Sequence, residues 1–111
     1  MSESLLVSQI RLALGRVPDL ALYRNSVGVT SEFDPKTHET RTIRYGLAVG
    51  SADLVGCLAG RFFALEVKTP AGRESAEQTR WAECIRAKGG YVKTVRSVDD
   101  ALAAVAEARG R

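Results

Sequence analysis

The 111-residue chain predicts an α/β fold with a mixed central sheet flanked by helices. Three observations carry this. Apolar residues recur at helical spacing near both ends and once in between. Two apolar runs of strand character, 52–58 and 61–68, are joined by a short connection containing Gly60 that reads as a hairpin turn. A hairpin followed by a helix and a further strand implies parallel as well as antiparallel neighbours, with helices on both faces.

The elements follow in order. Residues 3 to about 14 form a helix with Ser2 as its N-cap and Leu6, Val7, Ile10, Ala13 and Leu14 on its inward stripe. Gly15 stops it and Pro18 prevents its resumption. Leu20 to Asn25 is a short strand or extended segment. Residues 26–46 are polar and turn-rich, either a long loop or an excursion of two short strands, and such a stretch is expected over the substrate face. The central pair 52–58 and 61–68 comes next. Glu74 to Lys88 is the clearest helix, entered at Ser75 or at Gly72–Arg73 and ended by Gly89–Gly90, with Gln78, Trp81, Ala82 and Ile85 on one face. Trp81 is expected in the core. Tyr91 to Val95 is a strand. Ser97 or Asp99 opens a last helix to about Ala108, with Val98, Ala101, Leu102, Val105 and Ala108 facing inward.

Length and composition set bounds. A chain of this size forms one domain, residues 1–111, around a single core. Hydrophobic residues are 45% and charged residues 26%, ordinary for a soluble globular protein. No apolar stretch approaches a membrane span and no signal-peptide core follows Met1, so a cytoplasmic protein without membrane association is expected. Cys57 and Cys84 lack metal-site spacing and read as reduced, buried, small apolar residues. The lone His38, in a polar loop, does not make a zinc site. The net charge of +3 and pI near 9.1 lean weakly towards an anionic partner.

The chemistry concentrates at Asp53, Glu66 and Lys68. Glu66 and Lys68 are two apart in an apolar run and so share one face of their strand. Unpaired charge is costly to bury, so an E-x-K pair there is either an edge salt bridge or a working site. Asp53 opens the partner run after the glycine-bounded segment Gly46 to Gly50, and an antiparallel pairing brings it towards the same sheet end as Glu66. Two carboxylates suit a hard divalent cation, and a lysine beside them can position or activate water or offset charge on phosphate. That is a minimum set for metal-assisted phosphodiester cleavage. Gln78 sits close to the same end on its helix. Glu3 has two readings, one as complement to the helix dipole and one as an auxiliary acid of the metal site.

Gly50-Ser51-Ala52-Asp53, then Glu66-Val67-Lys68, Gln78-x-x-Trp81, Gly89-Gly90-Tyr91 and Val95-Arg96-Ser97 together resemble the PD-(D/E)xK nuclease superfamily. Within it, the pattern is similar to the small stand-alone VRR-Nuc type of phages and bacteria. The likeness extends over nearly the whole chain and includes the early Glu3 and Tyr23-Arg24-Asn25. Ala52 stands where the superfamily has proline, a position that supplies no ligand. The resemblance implies a restriction-endonuclease-like α-β-β-β-α-β core. In it Asp53, Glu66 and the Val67 backbone carbonyl would coordinate Mg²⁺ or Mn²⁺, and Lys68 would act on the attacking water. Gln78 would support the site from its helix, and Glu3 would be the auxiliary acid.

The activity so implied is metal-dependent, structure-selective DNA endonuclease cleavage at four-way (Holliday) junctions by a homodimer, in a bacterial or phage-infected cell. A two-fold assembly matches a junction that needs two coordinated cuts. No segment resembles a base-reading module, so backbone contacts are expected, with Arg41, Arg44, Arg73 and Arg96 as candidates. Two alternatives stand beside this reading: a nicking or restriction-like enzyme acting on ordinary duplex, and a catalytically silent relative that binds nucleic acid.

Overall fold

In the computed structural model, residues 1–110 are described and form a mixed α/β structure. The elements are α1 (Glu3–Leu14), β1 (Leu20–Arg24), β2 (Gly28–Asp34), β3 (Glu39–Tyr45), β4 (Leu54–Leu58), β5 (Arg61–Val67), α2 (Ala76–Ala87), β6 (Tyr91–Val95) and α3 (Val98–Arg109). Four strands make the central sheet in the order β1-β4-β5-β6. β1 and β5 run antiparallel to β4, while β6 runs parallel to β5, so the sheet is mixed as the element order requires.

Local chemistry explains the joints. Ser2, Ser75 and Ser97 cap the three helices, each accepting a backbone N–H from three residues on. The β4–β5 turn places Ala59 and Gly60 both at positive φ, the pattern of a type I′ hairpin whose twist suits the flanking strands. α2 carries β5 back to a parallel β6, the crossover that a parallel pair needs.

Helices cover both faces of the sheet. On one face Leu6, Val7, Ile10 and Leu14 of α1 and Ala101, Ala104, Val105 and Ala108 of α3 pack on Leu54, Phe63, Leu65, Val67 and Val95. Phe63 lies stacked on Tyr91 at 5.4 Å between centroids. On the other face Ala82, Trp81 and Ile85 of α2 pack on Ala52, Ala64 and Val92. Trp81, half-buried, meets Phe62 edge-on.

Two inward assignments are corrected. Leu102 is 44% exposed while Ala104 is buried, because α3 approaches the sheet and α1 through its alanines. Cys57 and Cys84 are free thiols but exposed: Cys57 lies near the turn end of β4, and Cys84 looks outward from α2.

β1 and β4 touch at Gly56. A β-carbon there would stand 1.7 Å from the Ala21 carbonyl oxygen, so the strands can pair only around a glycine. Gly56→Ala is therefore expected to cost about 3 kcal/mol or more, by forcing β1 away from the sheet. Chemical denaturation of the purified variant measures this; unchanged stability would mean that the two strands do not pair this closely.

Residues 26–46 resolve the open alternative in favour of two strands. Among the described residues, β2 and β3 pair only with each other, as a separate two-stranded sheet, and form an arm on the molecule. The molecule measures 55 × 33 × 28 Å with a radius of gyration of 16.0 Å. A compact chain of this length would have about 13 Å.

Candidate active site

The β4–β5 register creates the site. Leu54 pairs with Leu65, so one further step sets Asp53 opposite Glu66, just beyond the last rung. Opposite residues of an antiparallel pair extend to the same face. Asp53 also closes the sheet itself: its Oδ2 accepts the Val67 N–H at 2.8 Å. In an extended strand a residue's N–H and C=O point the same way, so the Val67 carbonyl faces the Asp53 side too.

Glu66 is 4% exposed and hydrogen-bonded to Asp53 and Gln78. Burial, a hydrogen bond with Asp53 and the Asp53 charge push its carboxyl up from the ordinary 4.5 to about 9. Lys68 pulls the other way through its charge, and Glu3 adds a small push upward. At neutral pH the Glu66 carboxyl thus keeps its proton where it faces Asp53.

Gln78 is aimed by the helix start. Its Oε1 accepts the Ser75 N–H at 2.8 Å while its own N–H donates to Ser75 Oγ, a reciprocal capping box. With the oxygen so engaged, Nε2 is left to donate to Glu66 Oε1 at 3.0 Å. The same serine and glutamine both start α2 and orient a side chain at the site.

The segment leading into β4 is held by Asn25, a residue to which the sequence assigned no role. Its Nδ2 donates to Ser51 Oγ at 2.7 Å and to the Ala52 carbonyl at 2.8 Å, and its Oδ1 accepts the Leu47 N–H. Its backbone N–H donates to the Asp53 carbonyl at 2.7 Å. One amide thereby ties the end of β1 to the loop returning from the arm and to Asp53. A polar amide closing an apolar strand immediately before a turn is the sequence signal that was available. Gly50 completes the joint: at φ +84° it lies against α2 so closely that a β-carbon would be 2.4 Å from the Glu77 carbonyl. Asn25→Ala is expected to lower stability by about 2 kcal/mol, since it strands several part-buried polar partners. Thermal or urea unfolding checks this, and a loss below a few tenths would remove Asn25 from the site's scaffold.

No protein-family model matches this chain, and no curated protein matches it.

Among the described residues, no group of three or more histidine, cysteine, aspartate or glutamate side chains is placed to hold a metal ion. What the fold assembles is a carboxyl pair, Asp53 and Glu66, with Gln78 bonded to it and Lys68 and Glu3 acting on it through charge. Beside the pair lies a polar groove of about 340 Å³ lined by Arg24, Asn25, Ser26, Gly50, Ser51, Asp53 and Gln78 among others. A cavity of about 360 Å³ is formed by the arm's own residues near its turn, and of the candidates it includes only Arg41.

The four arginines fall in two places, Arg41 and Arg44 on the arm and Arg73 and Arg96 at the loop before α2. Arg41 is paired across the arm with Glu32 at 2.9 Å, both largely exposed. Arg44 lies on the arm, and Arg73 lies in the loop before α2; both are exposed. Arg96 turns inward on that same loop: its Nη1 donates to the carbonyls of Gly72 at 2.6 Å and Thr69 at 2.8 Å. This clasps the chain that runs from Lys68 to Gln78. Glu74 in that loop also receives hydroxyl bonds from Thr79 and Thr94. The end of β6 therefore fixes the spacing between the lysine and the glutamine.

Proposed function

We propose that the protein is a metal-dependent DNA endonuclease of the PD-(D/E)xK kind, with VRR-Nuc-like architecture and Asp53, Glu66 and Lys68 at its centre. The observation that carries this is the meeting of Asp53, Glu66 and Gln78 at one end of the sheet, with the Lys68 charge acting on Glu66. If the arm and the final helix α3 are set aside, the element order α1-β1-β4-β5-α2-β6 reads α-β-β-β-α-β, which agrees with such a core.

The donor set fits a hard cation. Mg²⁺ takes oxygen ligands and keeps several waters, so two carboxylates and a carbonyl suffice once a substrate phosphate joins them. Asp53 and Glu66, the latter giving up its proton as the ion binds, would hold the ion through their carboxylate oxygens, with the Val67 carbonyl beside them. When bound, Mg²⁺ or Mn²⁺ would supply fixed positive charge where phosphodiester hydrolysis develops negative charge. Lys68 would orient the attacking water or take its proton. Gln78 keeps Glu66 turned towards Asp53, and Glu3 adds negative charge from the N-terminus of α1. Arg44 and Arg73 are available for backbone phosphates, while Arg41 and Arg96 already have partners.

The substrate we favour is a four-way junction, cut by a two-fold dimer that places two sites symmetrically. Labelled junction and matched linear duplex, each with Mg²⁺ or Mn²⁺, are the test, run beside Lys68→Ala. Paired cuts in the junction alone, lost in the variant, are the expected result. Equal cutting of duplex would retain the nuclease and discard junction selectivity. No metal-dependent cleavage of either DNA would leave a binding module.

A further inference from the structure

We infer that the β2–β3 arm is the interface with a second copy of this chain, joined through antiparallel pairing of the two β2 edges with Ser31 on the two-fold axis.

The arm lacks the support that a hairpin needs. Among the described residues it pairs with no other strand, and of its fourteen strand residues all are exposed except Gly28 and Ile43, which are half-buried. A two-stranded ribbon is marginal in water, whereas three or more strands with an apolar face are stable. Two arms joined edge to edge would give four strands.

Surface area points the same way. The chain exposes 7029 Å². A compact protein of 12.0 kDa exposes about 6,000 Å². The surplus of about 1,000 Å² is comparable to the ~800 Å² that each partner contributes to a standard interface.

Charge argues against a polyanion along the β2 edge, whose strand carries Glu32 and Asp34 and no cation, while Arg44 lies on β3. Residues 26–49 carry Lys36, Arg41 and Arg44 against Glu32, Asp34 and Glu39, so the arm is neutral and the chain's +3 lies elsewhere. Its exposed side chains include Val29 at 56% and Phe33 at 58%, on the same face two positions apart from Ser31.

The β2 edge is complementary to itself. Antiparallel pairing centred on Ser31 sets Val29 of each copy opposite Phe33 of the other, and Thr30 opposite Glu32. Aromatic against β-branched is a favourable cross-strand pair, and symmetry supplies it twice. Along β3, setting Ile43 opposite Tyr45 would put the two Arg44 side chains face to face, and setting Ile43 opposite itself gives one apolar pair only. The β2 edge therefore offers the better closure, and a two-fold axis leaves no open end for further growth.

The inference does not depend on the nuclease reading, and its test needs no activity. Sedimentation equilibrium of the full chain should give twice 12.0 kDa. The double variant Val29→Lys/Phe33→Lys alters only exposed positions, and it should raise the dimer dissociation constant at least about tenfold with unchanged far-UV spectrum. In a Cys57→Ser/Cys84→Ser background, Ser31→Cys should form an intermolecular disulfide on mild oxidation, because opposed residues lie within disulfide reach. Thr42→Cys, on the other strand, should not. A monomeric wild type overturns the inference. So does a dimer indifferent to the double variant, or cross-linking through Thr42→Cys in place of Ser31→Cys. Loss of DNA binding in the double variant with no change in mass would assign the arm to nucleic acid instead.

Discussion

Asp53→Asn is expected to abolish metal-dependent cleavage, by at least ~10³-fold in kcat, while the chain stays folded. The asparagine side-chain oxygen can still accept the Val67 N–H that Asp53 Oδ2 accepts now, so the end of the β4–β5 ladder remains closed. What disappears is the charge. A neutral amide is a weak ligand for a hard cation. Cleavage assays with Mg²⁺ and Mn²⁺, alongside a melting curve, separate the two effects. A variant that melts normally yet cuts at the wild-type rate would remove Asp53 from the chemistry.

Glu66→Gln is expected to stop cleavage to a similar degree and, in metal-free buffer, to make the protein more stable above neutral pH. The fold keeps Glu66 protonated to about pH 9, whereas the unfolded chain releases that proton near 4.5. The folded state thus binds the extra proton across that window. Stability from this group is complete below about 4.5 and is lost as pH rises towards 9. Glutamine reproduces the protonated form: its amide can donate to Asp53 and its oxygen can accept from Gln78 Nε2. At pH 8 the variant should gain on the order of 2 kcal/mol over wild type, with little difference at pH 5. Urea unfolding at the two pH values, with chelator present, decides it. Equal pH slopes for the two proteins would mean that Glu66 ionises freely in the fold.

Both expectations concern residues that local sequence pattern located, and the reason is physical. The short Leu58–Arg61 connection fixes a two-residue turn, the turn fixes the register, and the register carries Asp53 to Glu66. Side-chain alternation and helix spacing likewise placed the central strand pair, β6, the three helices and the Gln78–Trp81 face. Elements whose bounds follow from nearby residues were legible.

Long-range packing was not. Nothing local to 26–46 tells whether its strands join the main sheet, because that depends on which edges are already taken. Asn25 looks like an ordinary turn residue until Leu47, Ser51 and Ala52 gather around its amide. Arg96 has the sequence appearance of a surface cation, yet the carbonyls of Thr69 and Gly72 converge on it. Leu102 fits the apolar stripe of α3 by spacing, but the helix settled on its small residues, which permit closer approach. The cysteines were assigned inward from their residue type, and solvent reaches both.

The bond from Val67 N–H to Asp53 gives the protein a built-in gauge. One oxygen serves both as the final rung of the sheet and as a candidate ligand, so any cation drawn to it competes for electron density with a single backbone amide. In a nitrogen-15 spectrum, the Val67 resonance should move on titration with magnesium before any nucleic acid is added. Its midpoint would read the intrinsic occupancy of the centre directly, without waiting for a substrate to be found.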